Sequence, residues 1–191
     1  AATVKPGDWV LVHAAAGGVG LILVQWLKAL GANVIGTVGS ADKAALAREA
    51  GAAEIILYRD EDIAPRVRAI TGGSGVRVTY DGIGQATWYA SLDSTGRRGI
   101  IISYGNADAP VTGVALGILA TKGSLYNTRP TLFDYYATPE ERAAGAARLW
   151  DMITSGKVKV TIGQRYPLEE AAQAHRDLEG RATHGSTLLI P

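Results

Sequence analysis

The chain has 191 residues, 47% hydrophobic and 19% charged, with a formal net charge of +1. It is long enough to bury a sizeable core, too apolar for a disordered segment, and too weakly charged to suggest a nucleic-acid surface. It has no cysteine, which excludes disulfides and thiolate metal sites, and no apolar run of the roughly 20 residues that span a bilayer; a cytoplasmic protein with no membrane or nucleic-acid partner fits.

The lead Thr3-Val4-Lys5-Pro6-Gly7-Asp8 is turn-like and follows no initiating methionine, so a fragment lacking its N-terminal part is expected. An apolar run at 9–13 then predicts a buried strand, and the small-residue turn Ala14-Ala15-Ala16-Gly17-Gly18-Val19-Gly20 opens a helix over 18–30. Further strands are predicted at 33–38, 54–57, 76–80, 99–104 and 123–127. Helices are predicted between them at 41–50, 61–70, 85–93 and 113–120. Strands alternating with helices imply an α/β fold, a doubly wound six-stranded parallel sheet of order 3-2-1-4-5-6, with a ligand crevice at the strand carboxyl ends. Gly31, Gly51 and Gly72-Gly73 stand where helix C-caps belong.

After Tyr126 the pattern changes. Thr138-Pro139-Glu140-Glu141 is a capping box that opens a long helix ended by Gly156. A strand at 158–162, a helix from 168 to about 181 and a strand at 187–190 follow. Two short strands make no sheet of usual size. Residues 1–127 are therefore expected to form a dinucleotide-binding domain, and 128–191 the returning part of a second one.

Strand, glycine turn and helix together form a dinucleotide-binding signature, because backbone N–H groups and the helix N-terminus can receive a pyrophosphate. Ala15 stands in place of the first glycine of G-x-G-x-x-G; Gly17 and Gly20 keep the second and third. The second strand ends in Gly39-Ser40 where an acid usually receives the ribose 2′-hydroxyl. Gly39 leaves room there, and Ser40 can either bind a phosphate oxygen or cap the next helix. Lys43 in that helix's first turn opposes the helix dipole unless an anion sits beside it. The 2′-phosphate of NADP is the natural anion; a solvated surface lysine is the equal alternative. Tyr58 could cover the adenosine end, but it reads first as a half-buried strand-end tyrosine. Asp81 reads as a turn or cap residue. Tyr104, Gly105 and Asn106 end the fifth strand at the crevice. His13 reads as structural, His175 as a core histidine on an apolar helix face, and His184 as solvated.

These residues carry a resemblance to the zeta-crystallin-type quinone oxidoreductases of the medium-chain dehydrogenase/reductase superfamily. It rests on VKPGDWVLVHAAAGGVG, Gly39-Ser40 with Lys43, YDGIG, SYGN, KGSLYNTRPTLF and RATHGSTLLIP, and it covers essentially the whole chain. The resemblance implies that Gly18 and Val19 contact the pyrophosphate of NADPH. It implies that Gly39, Ser40, Lys43, Tyr58 and Arg181 hold the 2′-phosphate. Tyr104, Gly105, Asn106 and Ala107, with Pro130, Thr131 and Leu132, would line the nicotinamide half. Gly82 departs from a frequent serine and Tyr104 from a frequent phenylalanine. The implied partner is a quinone or another conjugated carbonyl, reduced by hydride without a catalytic zinc, in a homodimer joined through the sixth strand. An enoyl or alkenal reductase, or a non-catalytic NADPH-binding protein of crystallin-like or RNA-associated kind, are the alternatives. No catalytic side chain and no metal ligand is expected in this chain.

Overall fold

A computed structural model describes residues 3–191. Six parallel strands, β1 (Trp9–Val12), β2 (Asn33–Val38), β3 (Glu54–Leu57), β4 (Val76–Asp81), β5 (Thr95–Ser103) and β6 (Tyr126–Thr128), form one sheet of order β3-β2-β1-β4-β5-β6. This is the doubly wound order expected from the alternation of elements. All six carboxyl ends lie along one edge. The order reverses between β1 and its neighbour β4, which opens the crevice there.

Alternate residues of each strand go to opposite faces, and both faces are buried. Val10, Val12, Val34 and Val38 pack with Val24 and Leu27 of α1 (Gly18–Ala29) and with Ala44 and Ala47 of α2 (Ala41–Ala50). Leu11, Ile35 and Ile56 point the other way, against Val67 of α3 (Ile63–Ile70). On that same face Ile101 packs with Trp88 and Leu92 of α4 (Trp88–Ser94) and with Leu125. Truncating a buried leucine such as Leu11 to alanine in a core of this kind costs about 2–5 kcal/mol.

Several element boundaries differ from the sequence expectation. Helix α5 covers only Gly117–Thr121, because Gly113 sits at φ +69° and breaks the first turn. Strand β6 begins at Tyr126 rather than 123, since Leu125 is buried and its N–H donates to the Leu119 carbonyl. Strand β5 begins early, at Thr95, and bulges: Val76 faces Thr95 while Val78 faces Ile100.

The last third adds α6 (Leu132–Tyr135), α7 (Pro139–Thr154), β7 (Ile162–Pro167), α8 (Ala171–Glu179) and β8 (Ser186–Ile190). The Thr138 hydroxyl and the Glu141 carboxylate make the reciprocal capping box at the start of α7. The strand predicted at 158–162 is absent. Val158 is buried and its N–H donates to Met152, while Lys159 gives both backbone groups to the Gln25 side chain. Those bonds leave the segment no ladder to join, and pairing starts at Ile162, in parallel with β8. His175 is exposed on α8, contrary to the core role read from its apolar neighbours; Ala174 is the residue that α8 buries.

Candidate functional site

The glycine turn is shaped by steric exclusion. A Cβ on Gly20 would lie 2.2 Å from the Ala14 carbonyl oxygen and 2.9 Å from the Ala15 backbone, so α1 can pack onto the turn only with glycine there. Ala15 is tolerated at the first glycine position because Gly36 on β2 faces it: a Cβ on Gly36 would come within 2.8 Å of the Ala15 Cβ. Gly17 is the N-cap of α1 and brings no capping side chain, and the first turn has no acidic residue. The leading N–H groups of this helix, Gly18 and Val19 among them, are therefore available to an anion. Val19 is 61% exposed at the crevice.

The chain's end closes onto this turn. The Gly185 N–H donates to the Ala16 carbonyl at 2.9 Å, and a Cβ on Gly18 would stand 3.0 Å from the Ser186 Oγ. Gly185 and Ser186 are thus part of the turn's wall, which sequence reasoning missed. A signal existed in the Gly-Ser pair of the closing RATHGSTLLIP, but no spacing rule links it to residue 18.

At the carboxyl end of β2, Gly39 makes a notch. A Cβ there would lie 2.6 Å from the Tyr58 Oη and 3.5 Å from the Arg59 Nε. Tyr58, at the end of β3, therefore closes over Gly39. The Ser40 Oγ accepts from the Lys43 N–H at 3.4 Å, capping α2 and leaving its own O–H free to donate. The Lys43 Nζ donates to the Arg181 carbonyl at 2.6 Å. Arg181 is exposed and holds a left-handed backbone, φ +59°, rare outside glycine. The structure thus brings together Gly39, Ser40, Lys43, Tyr58 and Arg181, and adds Arg59. Arg59 went unread because one cation after a strand end carries no pattern. Among the described residues, no carboxylate makes an ion pair with Lys43, Arg59 or Arg181.

At the other side of the crevice, two loops are laminated. The Tyr104 N–H donates to the Asp81 carbonyl at 2.8 Å, Ala107 to Gly82 at 3.0 Å and Asp108 to Ile83 at 2.9 Å. Gly105 must be glycine, since a Cβ would lie 2.5 Å from the Gly82 oxygen. Asn106 and Ala107 are exposed on the loop. Pro130, Thr131 and Leu132 follow β6, and Arg129 ties them to this end of the sheet through the Ser103 carbonyl at 2.8 Å.

Beneath the crevice lies a buried polar chain. His13 bonds Thr37 through Nδ1 at 3.1 Å and Ser91 through Nε2 at 3.0 Å. Ser91 donates to Asp81 at 2.6 Å, Thr87 donates to the same carboxylate, and the N–H groups of Ile83 and Gly84 complete its shell. Burial is the largest influence on Asp81 and acts upward; the nearby His13, Ser91, Gly84 and Thr87 outweigh it and hold the carboxyl below its usual value. Burial pushes His13 below the ordinary imidazole value, against the pull of Asp81. A neutral histidine beside a hydrogen-bonded carboxylate fastens β1, β2, β4 and α4 together. Both residues are structural, and Asp81 caps the turn after β4. Burial, and next the Asp81 carboxylate, push the Tyr104 phenol up to about 12.

A sequence profile described as Zinc-binding dehydrogenase matches residues 18–138. The quinone oxidoreductase of Salmonella typhimurium is 58% identical over 190 residues, covering 98% of this chain and 58% of the relative. A crystal structure of Escherichia coli quinone oxidoreductase complexed with NADPH is 55% identical and superposes with a TM-score of 0.95, over 98% of this chain and 58% of that one. A 2-haloacrylate reductase of Burkholderia is 46% identical over 193 residues, 98% of this chain and 57% of its own. The chain thus spans under three-fifths of the length of the curated relatives it matches. The chain has no cysteine, and among the described residues no group of three or more His, Asp or Glu is placed to hold a metal ion.

Proposed function

The chain belongs to the zinc-binding dehydrogenase family, and we propose that it is the NADPH-binding portion of a reductase that delivers hydride to quinones. The observation that carries the reading is the notch at Gly39, covered by Tyr58 and flanked by Lys43, Arg59 and Arg181, at the strand end where an NAD site keeps an acid. Three cations that, among the described residues, have no carboxylate partner suit a dianionic 2′-phosphate.

In this reading Gly18 and Val19 receive the pyrophosphate at the N-terminus of α1. Ser40, Lys43, Tyr58 and Arg181 hold the adenosine phosphate. Tyr104, Gly105, Asn106 and Ala107, with the Pro130–Leu132 loop, floor the nicotinamide end. The cofactor, when bound, supplies the hydride. The chain's own contribution is orientation and exclusion of water, and none of its side chains is assigned as a general acid. We assign residues 1–127 to the cofactor domain and 128–191 to the returning part of a second domain. The small-molecule substrate, a cytoplasmic location and a homodimer joined along the free edge of β6 belong to the same proposal.

The 2-haloacrylate reductase relative favours one second reading, a reductase of other conjugated carbonyls. Steady-state NADPH oxidation by the full-length protein with 1,2-naphthoquinone, against an enal, separates the two. Turnover of the quinone supports the first reading; turnover of the enal alone supports the second.

A further inference from the structure

Three arginines line a cavity at the amino ends of the strands, on the edge of the sheet opposite the crevice. It measures about 500 Å³ and is walled by Arg77, Arg97, Arg98, Ile100 and Tyr126. The bulge in β5 builds it. Thr95 pairs with Val76 and Ile100 with Val78, so β5 has four residues, 96–99, where β4 has Arg77 alone. Glycines end the bulge on both sides: a Cβ on Gly96 would lie 2.5 Å from the Ser74 oxygen, and one on Gly99 2.5 Å from the Thr95 Cγ2. Between them Arg98 is held at φ +57°, a left-handed backbone that is strained for arginine. Its N–H donates to the Gly123 carbonyl at 2.8 Å, and its carbonyl accepts from the Arg77 guanidinium at 2.6 Å.

The three guanidinium groups share this cavity without a counter-charge. Among the described residues none of them pairs with a carboxylate. Asp93, the carboxylate nearest to Arg97 in the sequence, is engaged by Lys122. An anion placed among the arginines removes their mutual repulsion and meets forks that fit phosphate oxygens two at a time. One phosphate carries about two negative charges at neutral pH, so three cations match two linked phosphates better than one. We propose that this cavity binds a pyrophosphate group, either free or carried by a nucleotide whose base lies on the exposed Tyr126 ring. The site is separate from the NADPH reading. Arg77 is four residues, about 13 Å, along β4 from Asp81 at the crevice, and β5 is three strands, about 14 Å, from β2 with its Gly39 notch.

The test is calorimetric titration of the full-length protein, saturated with NADPH, with inorganic pyrophosphate and with ADP. One pyrophosphate should bind per chain at sub-millimolar concentration. Arg98→Gly removes a guanidinium from a backbone that suits glycine, and Arg97→Gln removes the neighbouring charge. Each should weaken pyrophosphate roughly tenfold, the worth of one charge-assisted bond, and leave NADPH affinity at the wild-type value. Lys43→Ala, in the crevice, and Arg148→Gln, at an exposed arginine on α7, should leave pyrophosphate binding unchanged. ADP tighter than pyrophosphate, with the difference lost in Tyr126→Ala, identifies the carrier as a nucleotide; ADP no tighter identifies the free anion. Absence of binding, wild-type affinity in Arg97→Gln and Arg98→Gly, or an equal loss in Arg148→Gln overturns the site. Loss in Lys43→Ala overturns it too, by placing the anion in the crevice. A protein that binds pyrophosphate as expected but no NADPH overturns the cofactor reading alone.

Discussion

The Lys43 ammonium donates to the Arg181 carbonyl oxygen at 2.6 Å, joining two residues 138 positions apart. The bond makes the adenosine end a composite of two regions of the chain: α2 brings the lysine, and the loop after α8 brings the arginine in a left-handed conformation. It also gives the lysine a defined place beside the Gly39 notch.

Lys43→Ala should therefore weaken NADPH selectively over NADH. It removes one charge-assisted hydrogen bond and the tether that places Arg181. At this partly exposed position the loss should be about 1.5 kcal/mol, the lower end for bonds to charged groups. Titration of both cofactors against wild type and variant checks it; equal weakening of the two would remove Lys43 from the phosphate site.

The doubly wound sheet was legible because its central strands are buried on both faces, so β1 and β2 announce themselves as apolar runs. Where a run served another purpose, the reading slipped. Val158 fills a core position and Lys159 is engaged by Gln25, so an apparent strand is a strap. His175 shares a helix side with alanines and a leucine, yet nothing in the described residues covers it. The site was legible in part. Gly39 and Lys43 lie at a fixed spacing from the glycine turn and can be read locally. Arg181 came from the resemblance. Gly185 and Ser186 came only from the fold, since closeness across 100 or more residues leaves no periodic trace, and Arg59 did so because a lone cation after a strand end carries no pattern.

Acid should loosen the fold through the chain beneath the crevice. His13 has a folded-state pKa below its unfolded value of 6.5, so the unfolded chain takes up the proton first as pH falls. Its contribution is complete above 6.5 and is lost as pH drops through that value toward the folded one. Asp81, lowered from 3.8, behaves in the same sense at more acidic pH. Urea unfolding should show stability falling between about pH 7 and 5 by at most roughly 1.4 kcal/mol per pH unit. His13→Gln should be less stable at neutral pH and flatter across that interval. An equal slope in the variant would assign the pH dependence elsewhere.

The free edge of β6 should join two copies. Tyr126 to Thr128 pair on one side only, with β5, and Tyr126 is 58% exposed. A two-fold axis beside this edge would let the strand pair with itself. Leu125 is no reporter of that contact, because its N–H is already satisfied by Leu119 and its side chain is in the core. Tyr126→Lys is the better probe: like charges facing across the axis should shift sedimentation from dimer to monomer and leave cofactor binding unchanged. A wild-type monomer at micromolar concentration would contradict the interface.

If this crevice selects a phosphorylated adenosine, as proposed, the ratio of NADPH to NADH dissociation constants in the wild-type protein shows it. Three cations around Gly39, with Gly39-Ser40 at the strand end where an NAD site keeps its acid, predict NADPH tighter by roughly tenfold or more, the worth of at least one charge-assisted bond. Added salt should narrow the gap, since the phosphate contacts are partly exposed. Equal affinities, or a preference for NADH, would remove the 2′-phosphate from this site.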